Sequence, residues 1–107
     1  MENLQSDSSY FIYILECSNG AYYTGYTTDI ERRYEEHLNG SAKCKFTRSF
    51  PPVAIAACWQ FEGDVSIALK IERKIKALSK TQKYNLISAP ETINKLFDFC
   101  HVCVSNF

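Results

Sequence analysis

Two short apolar runs flank a turn signal near the start of the chain: YFIYILEC over Tyr10–Cys17 and AYYTGY over Ala21–Tyr26, separated by Ser18-Asn19-Gly20. Short runs of Ile and aromatic residues broken by Asn-Gly predict a β-hairpin, with the more apolar first strand central in a sheet. Loop length decides which side chains share a face, because they alternate along a strand. A two-residue Asn19-Gly20 turn pairs position 17 with 22 and separates Tyr13 from Tyr23. An odd-length loop, or a bulge at Gly20, pairs 17 with 21 and brings the two tyrosines together. The odd-length loop is the expectation.

The remaining pattern alternates between helix and strand signals. Thr28 with Glu31 forms a capping-box signature for a first helix that ends at Asn39-Gly40. A polar, basic loop follows to Pro51-Pro52. Val53, Ile55, Ala57, Trp59 and Phe61 alternate, which predicts a third strand with these residues on one face. Asp64 can cap a second helix with Ile67, Ile71, Ile75 and Leu78 on one stripe. Ser79 with Gln82 suggests a third helix, and Pro90 can open a last one carrying Ile93, Leu96 and Phe97. The order β-β-α-β-α-α predicts an α/β (α+β) domain, a small three-stranded antiparallel sheet covered by helices. Residues 1–9 are expected to be a flexible arm, 10–88 the domain proper, and 89–107 a C-terminal helix and tail packed on it.

The 107-residue length fits one domain. No apolar run reaches the roughly 20 residues that span a bilayer, and the polar N-terminus lacks the parts of a signal peptide. These features predict a cytoplasmic protein with no membrane partner and with its five cysteines reduced. Net charge is zero, but positions 43–83 carry nine basic and three acidic residues, a formal +6. Such a stripe can attract a phosphate backbone, although charge alone favours a solvated helix face.

Several side chains could carry chemistry. Tyr13 and Tyr23 offer phenols, though tyrosine is also ordinary strand packing. Arg33 and His37 lie four apart on the first helix and face the same way, one a cationic fork for phosphate and the other able to move a proton. Arg32 points elsewhere, as a secondary phosphate contact. Glu72 stands among Lys70, Arg73, Lys74 and Lys76; it can pair with Lys76, or serve as the hard oxygen ligand of one Mg²⁺.

Taken in order, Tyr, turn, Tyr-x-Gly, Arg-x-x-x-His on a helix, then Glu on a later helix, the stretch from Phe11 to about Leu86 resembles a GIY-YIG nuclease domain. It is closest to the small stand-alone members and is similar also to the incision domain of UvrC-type repair proteins. Phe11-Ile12-Tyr13 stands where GIY is expected and Tyr23-Thr24-Gly25 where YIG is expected. The resemblance implies that one of Tyr13 and Tyr23 is the general base or orients the water. It makes Arg33 the arginine that binds the scissile phosphate, His37 a position held by His or Tyr, and Glu72 the ligand of one Mg²⁺ or Mn²⁺. It implies an endonuclease acting on nucleic acid, DNA before RNA, in repair or processing, with Arg32, Lys43, Lys45, Arg48, Lys74 and Lys76 as backbone contacts. The chain departs from the family pattern at Phe11 for Gly, at Thr24 for Ile, and at Tyr26 where repair enzymes often carry Lys. The family's C-terminal asparagine has no firm match, with Asn85 nearby.

Two other readings compete. One is a nucleic-acid-binding or protein-interaction module that keeps the fold without cleavage. The other is a Cys/His metal site built on Cys100, His101 and Cys103 with Cys44 or Cys58, whose spacing matches no recognised zinc pattern. So short a chain has little surface for reading bases, so weak sequence preference, or targeting by a protein partner that supplies specificity, is expected. A monomer or weak dimer is anticipated, with the aromatic tail (Phe97, Phe99, Phe107) on the core or at a dimer contact.

Overall fold

A computed structural model describes residues 9–40, 45–96 and 102–105. Strands β1 (Ser9–Cys17) and β2 (Tyr22–Thr27) form the hairpin. Its loop is the odd-length one. The Cys17 N–H donates to the Ala21 carbonyl at 2.9 Å and the Gly20 N–H to the Cys17 carbonyl at 2.8 Å. Gly20 takes φ +84°, which glycine adopts without penalty. The register then pairs Tyr13 with Gly25 and Leu15 with Tyr23, so both tyrosines share one face.

Strand β3 (Pro52–Glu62) pairs antiparallel with the other side of β1. The three expected strands are joined by a short fourth, β4 (Val102–Ser105), giving the order β2-β1-β3-β4. This strand lies in the tail, where four residues carry no readable period; the open edge of β3 supplies its pairing. The expectation that β3 keeps one apolar face is corrected. The partners run Ile14–Ala57 and then Leu15–Ile55, and Glu16–Ala54 and then Cys17–Pro52, so β3 holds an extra residue at each step. Each bulge resets the alternation. Ala57, Trp59 and Phe61 pack with Ile12 and Ile14, whereas Ile55 packs on the opposite face with Leu15 and Tyr13. Val53 is left exposed.

Helix α1 (Ile30–Asn39) starts one residue later than expected. Asp29, not Thr28, is the cap: its carboxylate accepts from the Arg32 N–H at 3.1 Å, while Thr27 Oγ1 accepts from the Asp29 N–H at 3.1 Å. Gly40 at φ +71° ends the helix. The expected basic loop contains a short helix, α2 (Lys45–Ser49). Helix α3 (Val65–Lys76) is capped by Asp64, and α4 (Lys80–Ser88) by the Ser79–Gln82 capping box, both as the sequence indicated. Beyond a 3-10 turn at Pro90–Thr92, α5 (Ile93–Leu96) buries Ile93. The Trp59 indole donates to the Pro90 carbonyl at 2.9 Å, which ties this segment to the sheet. Phe97, Phe99 and Phe107 lie outside the described residues.

The sheet is covered on both sides. Helix α3 seats Ala68, Ile71 and Ile75 on the face carrying Ile12, Ile14 and Trp59. Ile30 and Tyr34 of α1 and Phe46 of α2 cover the face carrying Tyr13, Leu15 and Tyr23. Thr24 sits on the α3 side beside Ile14, is 3% exposed, and its hydroxyl has no hydrogen-bond partner among the described residues. A buried orphan hydroxyl costs about 1–3 kcal/mol. Thr24→Val is therefore expected to raise the unfolding free energy by about 1 kcal/mol, read as a higher urea midpoint at unchanged m-value. A lower midpoint would contradict this reading of Thr24.

Candidate active site

Strand β2 is a sheet edge, with α1 on one face and α3 on the other. Side chains from both helices reach this edge, and a cleft of about 390 Å³ opens there. Tyr13, Tyr23 and Gly25 line it from the sheet, Arg32, Arg33 and Glu36 from α1, and Glu72 from α3. Glu72 follows Ile71 by one residue, about 100° around the helix, so burying Ile71 sets the carboxylate on the flank above the edge. Its side chain is 16% exposed and lies 3.5 Å from Lys76 Nζ.

Tyr13 belongs to an inner strand and reaches the edge only because its partner is glycine. A Cβ on Gly25 would stand 2.5 Å from the Tyr13 hydroxyl oxygen and 2.7 Å from Cζ. The Tyr13 hydroxyl is 3.0 Å from His37 Nε2, and His37 Nδ1 is 2.8 Å from Thr47 Oγ1. Tyr23 meets the His37 ring edge-on at 5.2 Å and stacks on Phe46 at 6.3 Å. Burial and the nearby Arg33 cation push the His37 imidazole down to about 4, against the pull of Glu36, so it is neutral at pH 7. Burial also disfavours the Arg33 cation, but hydrogen bonds to Tyr13 and Glu36 outweigh it and hold its pKa above the ordinary arginine value. Arg33 Nη1 donates to Glu36 Oε1 at 3.0 Å.

The structure thus brings Tyr13, Tyr23, Arg33 and Glu72 to one cleft. His37 is placed differently from the sequence expectation. It is fully buried behind Tyr13 and does not line the cleft beside Arg33. Arg32, expected to point elsewhere, instead lines the same cleft as Arg33, exposed and paired with Asp29 at 3.6 Å and Glu36 at 3.3 Å. Lys76 stands beside Glu72, while Lys74, Lys45, Arg48 and Asn85 are exposed and away from the cleft lining. Lys43 lies outside the described residues, as do Cys44, Cys100 and His101. Cys58 is a core residue opposite Tyr13, its thiol pushed up to about 12 by burial. Among the described residues no three His, Cys, Asp or Glu side chains cluster around a metal position. The sequence reading missed Thr47, because a loop was expected there. The four-residue spacing of Phe46 and Phe50 was the available sign of a helix.

A thin sheet flanked by helices, with phenols, a guanidinium and a carboxylate converging on its edge, has the form of a phosphodiester-cutting domain. The GIY-YIG catalytic domain model matches residues 9–85, and the chain belongs to the GIY-YIG nuclease family. Its relatives include UPF0213 proteins, small stand-alone members. That of Cupriavidus necator is 45% identical over 80 residues, covering 75% of this chain and 85% of the relative. That of Vibrio cholerae serotype O1, strain El Tor Inaba N16961, is 39% identical over 97 residues, covering 90% and 95%. The solution NMR structure of a UPF0213 protein from Bacillus halodurans is 37% identical, with TM-score 0.49, covering 80% of this chain and 93% of that one. Family membership implies a nucleic-acid partner. Among the described residues, no helix is long and apolar enough to cross a membrane.

Proposed function

We propose that the protein is a divalent-metal-dependent endonuclease that hydrolyses a nucleic-acid phosphodiester, with DNA as the first substrate and repair or processing as its role. The observation that carries this reading is the meeting of Tyr13, Tyr23, Arg33 and Glu72, drawn from three separate stretches of chain, around one cleft at the β2 edge.

The scissile phosphate sits in the cleft, where Arg33 donates to its non-bridging oxygens and stabilises the charge that builds during in-line attack. Tyr13 positions the attacking water. Its oxygen accepts from Arg33 and its hydrogen is held toward neutral His37, so as the phenol takes the water's proton its own hydrogen passes to His37 Nε2. Tyr23 packs against His37 and holds the ring in place. Glu72 would hold Mg²⁺ or Mn²⁺; one carboxylate with waters and phosphate oxygens suits such an ion, and the cleft beside it has the room. When bound, the ion supplies Lewis-acid polarisation of the phosphate and stabilises the leaving oxygen. Arg32 and Lys76 at the rim, with Lys45, Arg48 and Lys74 farther out, bind the flanking backbone.

The test is cleavage of single-stranded, duplex and branched DNA with Mg²⁺ and with chelator. Arg33→Ala is expected to slow cleavage about 10²- to 10³-fold with an unchanged circular dichroism spectrum. Binding without metal-dependent cutting would instead show a binding module, and equal cutting by wild type and Arg33→Ala would remove Arg33 from the chemistry.

A further inference from the structure

We propose that Thr47 is a positioning residue that fixes the tautomer of His37, accepting from its Nδ1–H so that Nε2 presents a bare lone pair to the Tyr13 hydroxyl. The inference rests on the nuclease reading of the same cleft and adds to it a residue that touches no substrate.

The geometry is a buried three-member chain. Thr47 Oγ1 lies 2.8 Å from His37 Nδ1, and His37 Nε2 lies 3.0 Å from the Tyr13 oxygen. Thr47 and His37 are fully buried and Tyr13 is 1% exposed, so water cannot readily substitute for any member. A neutral imidazole donates from one nitrogen and accepts at the other, so the chain can run in two directions. In one, Nδ1–H donates to Thr47 and Nε2 accepts from Tyr13. In the other, Nε2–H donates to Tyr13 and Nδ1 accepts from Thr47. Arg33 decides between them. Its guanidinium already donates to the Tyr13 oxygen and acts as a cation on His37. A second N–H aimed at that oxygen would use the electron pair that a water needs and would turn the phenol's own hydrogen into the cleft. The first direction has the oxygen accepting from Arg33 and donating to His37 at the wall of the cleft that Tyr13 lines. A hydroxyl suits the far end of the chain because it can accept there, whereas a valine of the same shape cannot.

This gives α2 a purpose. The helix interrupts a segment with the composition of a loop, and it carries Thr47 inward while Phe46 stacks on Tyr23. The element that covers the tyrosine face therefore also sets the protonation pattern beneath it.

The experiment combines kinetics with ¹⁵N NMR of the imidazole, in a His101→Gln background so that His37 is the one histidine observed. Wild type is expected to show the Nδ1–H tautomer. Thr47→Val should shift the ring toward the Nε2–H tautomer and lower kcat by about 10- to 100-fold with KM nearly unchanged. Thr47→Ser keeps the hydroxyl and should return both the tautomer and the rate to within about threefold of wild type. A role in packing alone would not move the tautomer. An Nε2–H tautomer in the wild type overturns the proposal, as does a Thr47→Val enzyme whose kcat stays within twofold. Should Thr47→Val fail to fold, the wild-type tautomer and the serine variant decide the matter. Absence of cleavage in wild type would defeat the nuclease reading, while the NMR measurement would still decide what Thr47 does to His37.

Discussion

Glu72→Gln is expected to reduce metal-dependent cleavage by about 10³-fold or more, because a neutral amide is a poor ligand for a hard dication and the ion's charge stabilisation is lost with it. The fold should hardly notice. Glu72 sits on the flank of α3, and its pairing with the half-exposed Lys76 at 3.5 Å is the kind of surface contact worth about 0–1 kcal/mol. The helix itself is anchored by Ala68, Ile71 and Ile75, which the substitution does not touch. The measurement is kcat/KM across a Mg²⁺ and Mn²⁺ titration, alongside a thermal melt. Cleavage within tenfold of wild type at saturating metal would mean that the ion, if one is used, is held elsewhere.

Gly25→Ala should damage the cleft by a different route. The added methyl would stand 2.5 Å from the Tyr13 hydroxyl oxygen, well inside van der Waals contact. Tyr13 cannot yield easily, since its other side is packed in the cluster with Leu15, Cys58 and Ile30. Either the ring moves and loses its 3.0 Å contact with His37, or β2 shifts away from β1. Overpacking of this kind costs about 1–3 kcal/mol. Displacing the phenol should also lower kcat by about 10²-fold or more, which is the range for loss of a positioned proton-transfer group. A variant with wild-type melting temperature and wild-type kcat would show that Tyr13 need not cross Gly25 to act.

Much of this arrangement was legible in the chain. The odd-length hairpin loop was expected as the register that lets Tyr13 and Tyr23 share a face, since a one-residue slip reverses every side chain, and the strands pair that way. The Asp64 cap and the Ser79–Gln82 box are local hydrogen-bonding patterns, so sequence spacing suffices to find them. The α1 cap was misplaced by one residue because Thr28 and Asp29 are both good caps. The choice is made by Thr27, whose hydroxyl takes the Asp29 N–H. The face of β3 was misread for a non-local reason: its bulges exist only relative to β1, and alternation within β3 does not reveal them. Strand β4 escaped notice because an edge strand of four residues borrows its pairing from a neighbour.

By itself, then, the order of residues determined the hairpin, the Asp64 cap and the Ser79–Gln82 box, the apolar stripe of α3, and the tyrosine, arginine and glutamate positions that define the family. Each of these depends on contacts a few residues apart or on the period of a single element. Tertiary structure alone decided that His37 lies buried behind Tyr13, that Thr47 reaches it, and that Gly25 clears the path of an inner tyrosine to the edge. Those relations join side chains that are 24, 10 and 12 positions apart, and they exist only once β1, β2, α1 and α2 are packed together.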